Sequence, residues 1–346
     1  MFTHLSALLE LIDRFGADAV RFGIMISSPA GNDLLFDDSS CDQGRNFNNK
    51  IWNALKLIKM WALRQAQSTI KVSNENPVEN NFAIEWFENR LNEVKADVEK
   101  LYKDFRLSEA LKNIYSLIWD DFCSWYLEWV KPGFEQPINK AVYEKSVAFF
   151  EELMQLLHPF MPFVTEEIYH HLKERKDGDD LTIKQLLPIG KKNKATLEQG
   201  SLLKEVITSL RDARVKNQLK QKDAIKLSID TNSADTYKAI ESILTKQVNT
   251  ESITFIKDPV QNSIVVVIQK DKFYIQTEVA IDKSAQKEQL QKDLEYQKGF
   301  LASVDKKLSN ERFVSNANPE VVESERRKKS DAEAKIIILK ESIRNL

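Results

Sequence analysis

The residues best placed to do chemistry in this sequence are two adjacent pairs in one short stretch, Glu166-Glu167 and His170-His171. Paired carboxylates can trade a proton, and histidines near a helix end can hold a metal ion. For a metal, no third ligand stands at a useful spacing, so the histidines read as solvated groups at a helix end. The glutamates read as first-turn acids complementing a helix dipole, which needs no catalytic role. Glycines are scarce and scattered, so no glycine-rich phosphate loop exists, and no nucleophile has a base at recognisable spacing. No catalytic residue and no metal ligand is assigned.

What remains is binding chemistry, in three basic stretches. The first places Arg45, Lys50, Lys56 and Lys59 among Asn46, Asn48, Asn49 and Asn53. Basic side chains supply phosphate contacts, and asparagines both donate to and accept from unstacked base edges. The second is Arg211, Arg214, Lys216, Lys220 and Lys222. The third joins Lys306, Lys307 and Arg312 to Arg326, Arg327, Lys328 and Lys329. Each has a plainer reading as a solvated polar face. With 50 basic against 52 acidic residues, net charge gives no global pull toward nucleic acid, so any such binding must be local.

The elements that would position these residues are mostly helical. At 346 residues the chain suggests two or three units, and nine glycines and nine prolines leave room for long helices. Residues 46–61 carry Phe47, Ile51, Ala54, Leu55, Ile58 and Trp61 on one helical stripe. Residues 82–105 repeat the pattern, and 107–130 are apolar around so much of the circumference that they predict a central helix of a bundle. Further helices are predicted over 141–157 and from Pro162 to 172. A small α+β module follows, with a helix near 202–217, strands over 225–229, 253–256, 263–268 and 273–279, and a helix over 234–244. Then Leu290, Leu294, Gln297, Leu301, Val304 and Leu308 form a heptad seam. A second seam runs through Val322, Glu325, Lys329, Ala332, Ile336, Leu339, Ile343 and Leu346, and the two predict an antiparallel coiled-coil hairpin. Cys41 and Cys123 fit a reduced compartment as packing residues, and no run of apolar residues is long enough to span a membrane.

Several segments, in order, resemble the class I aminoacyl-tRNA synthetases of the valyl, isoleucyl and leucyl group. Residues 11–22, Leu-Ile-Asp-Arg-Phe-Gly-Ala-Asp-Ala-Val-Arg-Phe, are similar to the stretch that follows their Lys-Met-Ser-Lys-Ser loop. Residues 31–37 with 44–54 resemble the start of their anticodon-binding helical domain. Residues 121–128, Asp-Phe-Cys-Ser-Trp-Tyr-Leu-Glu, and 158–169, from His158-Pro159-Phe160 to Ile168-Tyr169, resemble two later landmarks. The stretch from Leu308 to Arg326 is similar to the C-terminal coiled-coil arm of the valyl members, whereas the other two end differently.

The resemblance implies a mainly α chain: the end of a catalytic core and connecting segment over 1–36, an anticodon-binding bundle over 37–180, a small α+β module over 181–283, and a tRNA-binding arm over 284–346. It implies tRNA(Val) as partner, no DNA and no membrane, and a cytoplasmic monomer. The family's two ATP-binding loops, its nucleotide-binding fold and its editing domain have no counterpart in these residues. This segment is therefore expected to need no cofactor and not to activate valine, while ATP and magnesium serve the parent enzyme. Carried over by position, Lys50 and Lys56 match basic positions near the anticodon. Leu35 and Ser39 stand where a family member has arginines, and Leu57 where it has a stacking aromatic. A reading from another class is a free-standing interaction protein that uses the coiled coil to bind protein.

Overall fold

Apolar residues recurring every three or four positions wind most of this chain into helices, as the mainly α expectation requires. The computed structural model describes residues 2–28, 31, 36–67, 78–277 and 283–344; Leu35 and Leu346, named above, lie outside them. The chain divides into two units, Met1–Gly200 and Ser201–Leu346. Among the described residues no helix is long and apolar enough to cross a membrane.

The first unit is a bundle of α1 (Phe2–Phe15), α2 (Ala17–Ile26), α3 (Asp38–Gln67), α4 (Val78–Lys103), α5 (Leu107–Ser116), α6 (Leu127–Val130), α7 (Lys140–Leu157) and α8 (Pro162–Leu172). The predicted stripe of α3 is buried in full, from Phe47 to Trp61. The single helix predicted over 107–130 is continuous but not uniform. Between α5 and α6, Leu117–Tyr126 is π-helical, and the Ser124 hydroxyl donates to the Trp119 carbonyl five residues back. The wider turn spreads bulky rings over more of the circumference. Phe122 and Tyr126 pack with Phe87, Phe149 and Phe150 in one aromatic core, where each ring removes a large apolar area from water.

Helix ends in the bundle are satisfied by side chains, some from far along the chain. Asn139 caps α7, accepting from the N–H of Ala141 and Val142. At α8, Pro162 has no N–H to satisfy, and the next two, of Phe163 and Val164, donate to the Asp18 carboxylate of α2 at 3.3 and 2.6 Å. Burial pushes the Asp18 carboxyl up, and those two N–H groups pull against that shift. One turn on, Arg21 donates to the carbonyls of Phe160 and Pro159. Helix α2 thus grips the turn between α7 and α8.

The second unit begins within α9 (Lys194–Lys216), whose start lies earlier than the predicted 202 because the Asn193 side chain caps it through the N–H of Ala195. A four-stranded sheet follows, of β1 (Ile225–Asp230), β2 (Thr250–Ile256), β3 (Ile264–Ile268) and β4 (Asp271–Gln276), in the order β2-β1-β4-β3. Strands β1 and β2 are parallel, joined across α10 (Ala234–Lys238) and α11 (Glu241–Val248); the other pairs are antiparallel. The predicted helix over 234–244 is therefore two short ones, and β4 ends before the predicted 279.

The hairpin forms as the heptads predict, from α12 (Lys283–Leu308), α13 (Glu311–Asn316) and α14 (Pro319–Arg344). Leu290, Leu294, Val304, Val322, Ala332, Ile336 and Leu339 are its buried seam. At its base Leu290, Leu294, Ile336 and Leu339 cluster with Val267 of β3.

Candidate nucleic-acid interface

The helical period that buries one face of α3 turns its polar residues outward. Arg45, Asn46, Asn49, Asn53 and Lys56 are exposed at spacings of one to four residues, a polar stripe along the helix. Arg45 is paired with Asp42 at 2.7 Å, and its guanidinium lies 5.6 Å from the Phe15 ring. Lys50 sits at the edge of the stripe, half-buried, with its ammonium 5.1 Å from the centre of the Trp119 ring in the π-helical stretch. A cation held over an indole face is placed without being neutralised. Lys56 is exposed two turns further on, and Leu57 beside it is half-buried.

The second basic stretch does not form the surface expected of it. Arg214 is fully buried, 0% exposed, and donates to the main-chain carbonyls of Val248, Lys220 and Asp223. Arg211 is half-buried and donates to the carbonyl and the side-chain oxygen of Gln247, at 3.0 and 2.8 Å. Both guanidiniums close the ends of chain segments inside the α+β unit, so Arg214 is withdrawn as a phosphate ligand and Arg211 is largely committed. Lys216, Lys220 and Lys222 stay exposed.

At the hairpin tip Arg312, Arg326 and Arg327 are exposed. The Asn310 side chain, accepting from the N–H of Arg312 and Phe313, and the Asn318 side chain, accepting from that of Glu320, fix the two turns. Lys307 and Lys328 are drawn inward toward Glu325, at 3.6 and 2.7 Å, and Lys329 pairs with Asp305 at 2.8 Å. Glu325 occupies a seam position and is 6% exposed, a buried acid answered by lysines of both helices.

Lys328, then Lys307, holds the Glu325 carboxyl below its ordinary 4.5. A depressed acid stabilises the fold above the unfolded-state value and loses that contribution as pH falls through the folded one. Thermal melts of the hairpin signal should therefore weaken as pH drops below about 4.3, and Glu325→Gln should flatten that dependence. An unchanged profile in Glu325→Gln would show that the pairing does not contribute.

The acid and histidine pairs singled out by sequence have other partners than expected. Glu166 lies one turn inside α8 and accepts from the N–H of Leu181 at 2.6 Å and of Thr182 at 3.1 Å. It is a cap for a distant 3-10 turn, Leu181–Ile183, and not a first-turn acid. His171 pairs with Glu167 at 2.9 Å and meets the Trp52 ring edge-on. His170 faces Glu166 and also Asp180, a third group ten residues on that sequence spacing did not suggest. The 121–128 landmark is a packing feature: Asp121 is buried and receives the Arg90 guanidinium at 2.8 Å. Cys41 and Cys123 are both free thiols, Cys41 buried and Cys123 half-buried.

Two family models match the chain: the anticodon-binding domain of tRNA ligase over residues 85–229, and the valyl tRNA synthetase tRNA binding arm over residues 282–346. The first runs from within α4 to within β1, with α3 outside it, and the second covers the hairpin. Among curated proteins the chain is 44% identical over 336 residues to the valine–tRNA ligase of Phocaeicola vulgatus and 42% identical over 335 residues to that of Parabacteroides distasonis. Each alignment covers 97% of this chain and 37% of the relative. The valine–tRNA ligase of Enterococcus faecalis is 32% identical, over 98% of this chain and 39% of its own length. The chain thus spans under two fifths of these relatives, with their anticodon-binding domain and their arm both inside it, and it belongs to the valine–tRNA ligase family as its C-terminal part.

Proposed function

We propose that this chain is the tRNA-gripping part of a valine–tRNA ligase, in which the outward stripe of α3 engages the anticodon arm and the hairpin tip engages the phosphate backbone elsewhere on tRNA(Val). The observation that carries this is the stripe itself: Arg45, Asn46, Asn49 and Lys56 exposed on one helix, with Lys50 poised over Trp119. Cations there meet phosphates, and the asparagine amides meet base edges. Arg312, Arg326 and Arg327 supply a second, separate set of cations at the tip. Valine activation, with its ATP and magnesium, belongs in this reading to the rest of the parent enzyme. The chain acts as a cytoplasmic monomer, its coiled coil being closed on itself.

Binding of a tRNA(Val) transcript and of its isolated anticodon stem-loop, measured by fluorescence anisotropy across a salt series, tests this. Lys50→Ala with Lys56→Ala should weaken both ligands about tenfold and reduce the steepness of the log–log salt dependence by about 1 to 2. Arg312→Ala with Arg326→Ala should weaken the full transcript and leave the stem-loop unchanged. Stem-loop binding indifferent to Lys50 and Lys56 would refute the assignment of α3.

A further inference from the structure

Three electron-rich side chains converge on one side of α8. The Nε2 atom of His170 lies 3.3 Å from Oε1 of Glu166 and 3.2 Å from Oδ1 of Asp180, and the three donor atoms lie within 4.8 Å of one another. Glu166 and His170 are one helical turn apart, and Asp180 arrives on the loop before the Leu181–Ile183 turn. Two carboxylates gathered beside an imidazole make a patch of negative potential that favours a cation. A tetrahedral zinc ion with bonds of about 2.0–2.1 Å holds its ligand atoms about 3.3 Å apart, close to the distance of His170 Nε2 from each of the two carboxylate oxygens.

We infer that Glu166, His170 and Asp180 form a binding site for a divalent transition-metal ion of the zinc type, with water completing the coordination. The donor set suits such an ion: one imidazole, which magnesium and calcium seldom take, and two carboxylates that bring charge neutrality. Glu166 is already oriented by the N–H groups of Leu181 and Thr182, the kind of outer hydrogen bond that sets a metal ligand in place. The ion would fasten the loop carrying Asp180 to α8. It has no part in the binding of tRNA proposed above, and its test is independent of that reading.

The same helix carries its own control. Glu167 and His171 repeat the spacing one residue along, at 2.9 Å, and His171 is turned to Trp52; they are not members of the three-donor group. Zinc chloride titrated calorimetrically into the chelator-stripped chain should show one saturable equivalent, and cobalt(II) should give visible d–d absorption bands. His170→Gln should abolish both signals, Asp180→Asn should weaken zinc about tenfold or more, and His171→Gln should leave both unchanged. His170 and Asp180 are 40% and 46% exposed at their side chains, so these variants fold, which far-UV circular dichroism of each checks. No saturable zinc uptake by the parent chain up to about 100 µM, or uptake that persists in His170→Gln, would overturn the site.

Discussion

Arg214→Ala is expected to destabilise the second unit by about 3 kcal/mol or more, the cost of leaving buried acceptors unpaired. The side chain is fully buried, and its guanidinium binds the carbonyls of Val248, Lys220 and Asp223. One carbonyl ends α11, and the other two belong to the loop that leads from α9 into β1. A single planar fork therefore ties a helix end to the approach of the central strand. Burial lowers the pKa of the guanidinium, which nevertheless keeps its charge at any ordinary pH. Arg214→Lys should recover only part of the loss, because a point ammonium cannot reach three carbonyls set around a fork.

The distribution of tryptophan makes this measurable unit by unit. All six tryptophans, from Trp52 to Trp129, precede residue 130, so indole fluorescence reports the bundle, whereas far-UV circular dichroism reports both units. In urea, Arg214→Ala should bring forward the part of the dichroism transition that tryptophan does not follow. A shift in the tryptophan transition, or none in either, would contradict the role assigned to Arg214.

How much of this was legible in the sequence depended on distance along the chain. The α3 stripe and the hairpin seam are set by periods of about 3.6 and 3.5 residues, which repeat locally; Phe47 to Trp61 are buried as their spacing required, as are Leu290, Leu294, Val304, Val322, Ala332, Ile336 and Leu339 of the seam, while Gln297, Leu301, Leu308 and Lys329 are half-buried. What stayed hidden was partnership across long separations. Nothing near Arg214 announces that residues 220, 223 and 248 would turn their carbonyls toward it. Asp18 caps α8 from about 145 residues away, and Glu166 serves a turn 15 residues downstream. The candidate interface divided the same way: Arg45, Asn46, Asn49 and Lys56 were readable because helical period alone turns them outward. Arg214 was misread because charge suggests a surface until partners are known.

Glycine at position 44 was read only as part of a resembling stretch, and its physical reason lies in the crossing of α2 and α3. A Cβ built there would lie 2.8 Å from the carbonyl oxygen and 2.9 Å from the Cα of Ala19, backbone atoms that no rotamer change can move aside. The same crossing is tight at Gly23, where a Cβ would meet Cys41. Replacing a helical glycine by alanine ordinarily stabilises by about 1 kcal/mol, and Gly299→Ala should do so, since nothing lies within 4 Å of its position on α12. Gly44→Ala should reverse the sign, with a net loss of about 2 kcal/mol once helices α2 and α3 are forced apart. Because α3 also bears the Arg45 to Lys56 stripe, moving it should weaken capture of the anticodon stem-loop. Urea unfolding followed by tryptophan fluorescence measures the first effect and stem-loop anisotropy the second. A Gly44→Ala chain as stable as its parent would mean that the two helices can separate without cost. In that case the stripe is not held rigidly by the crossing with α2.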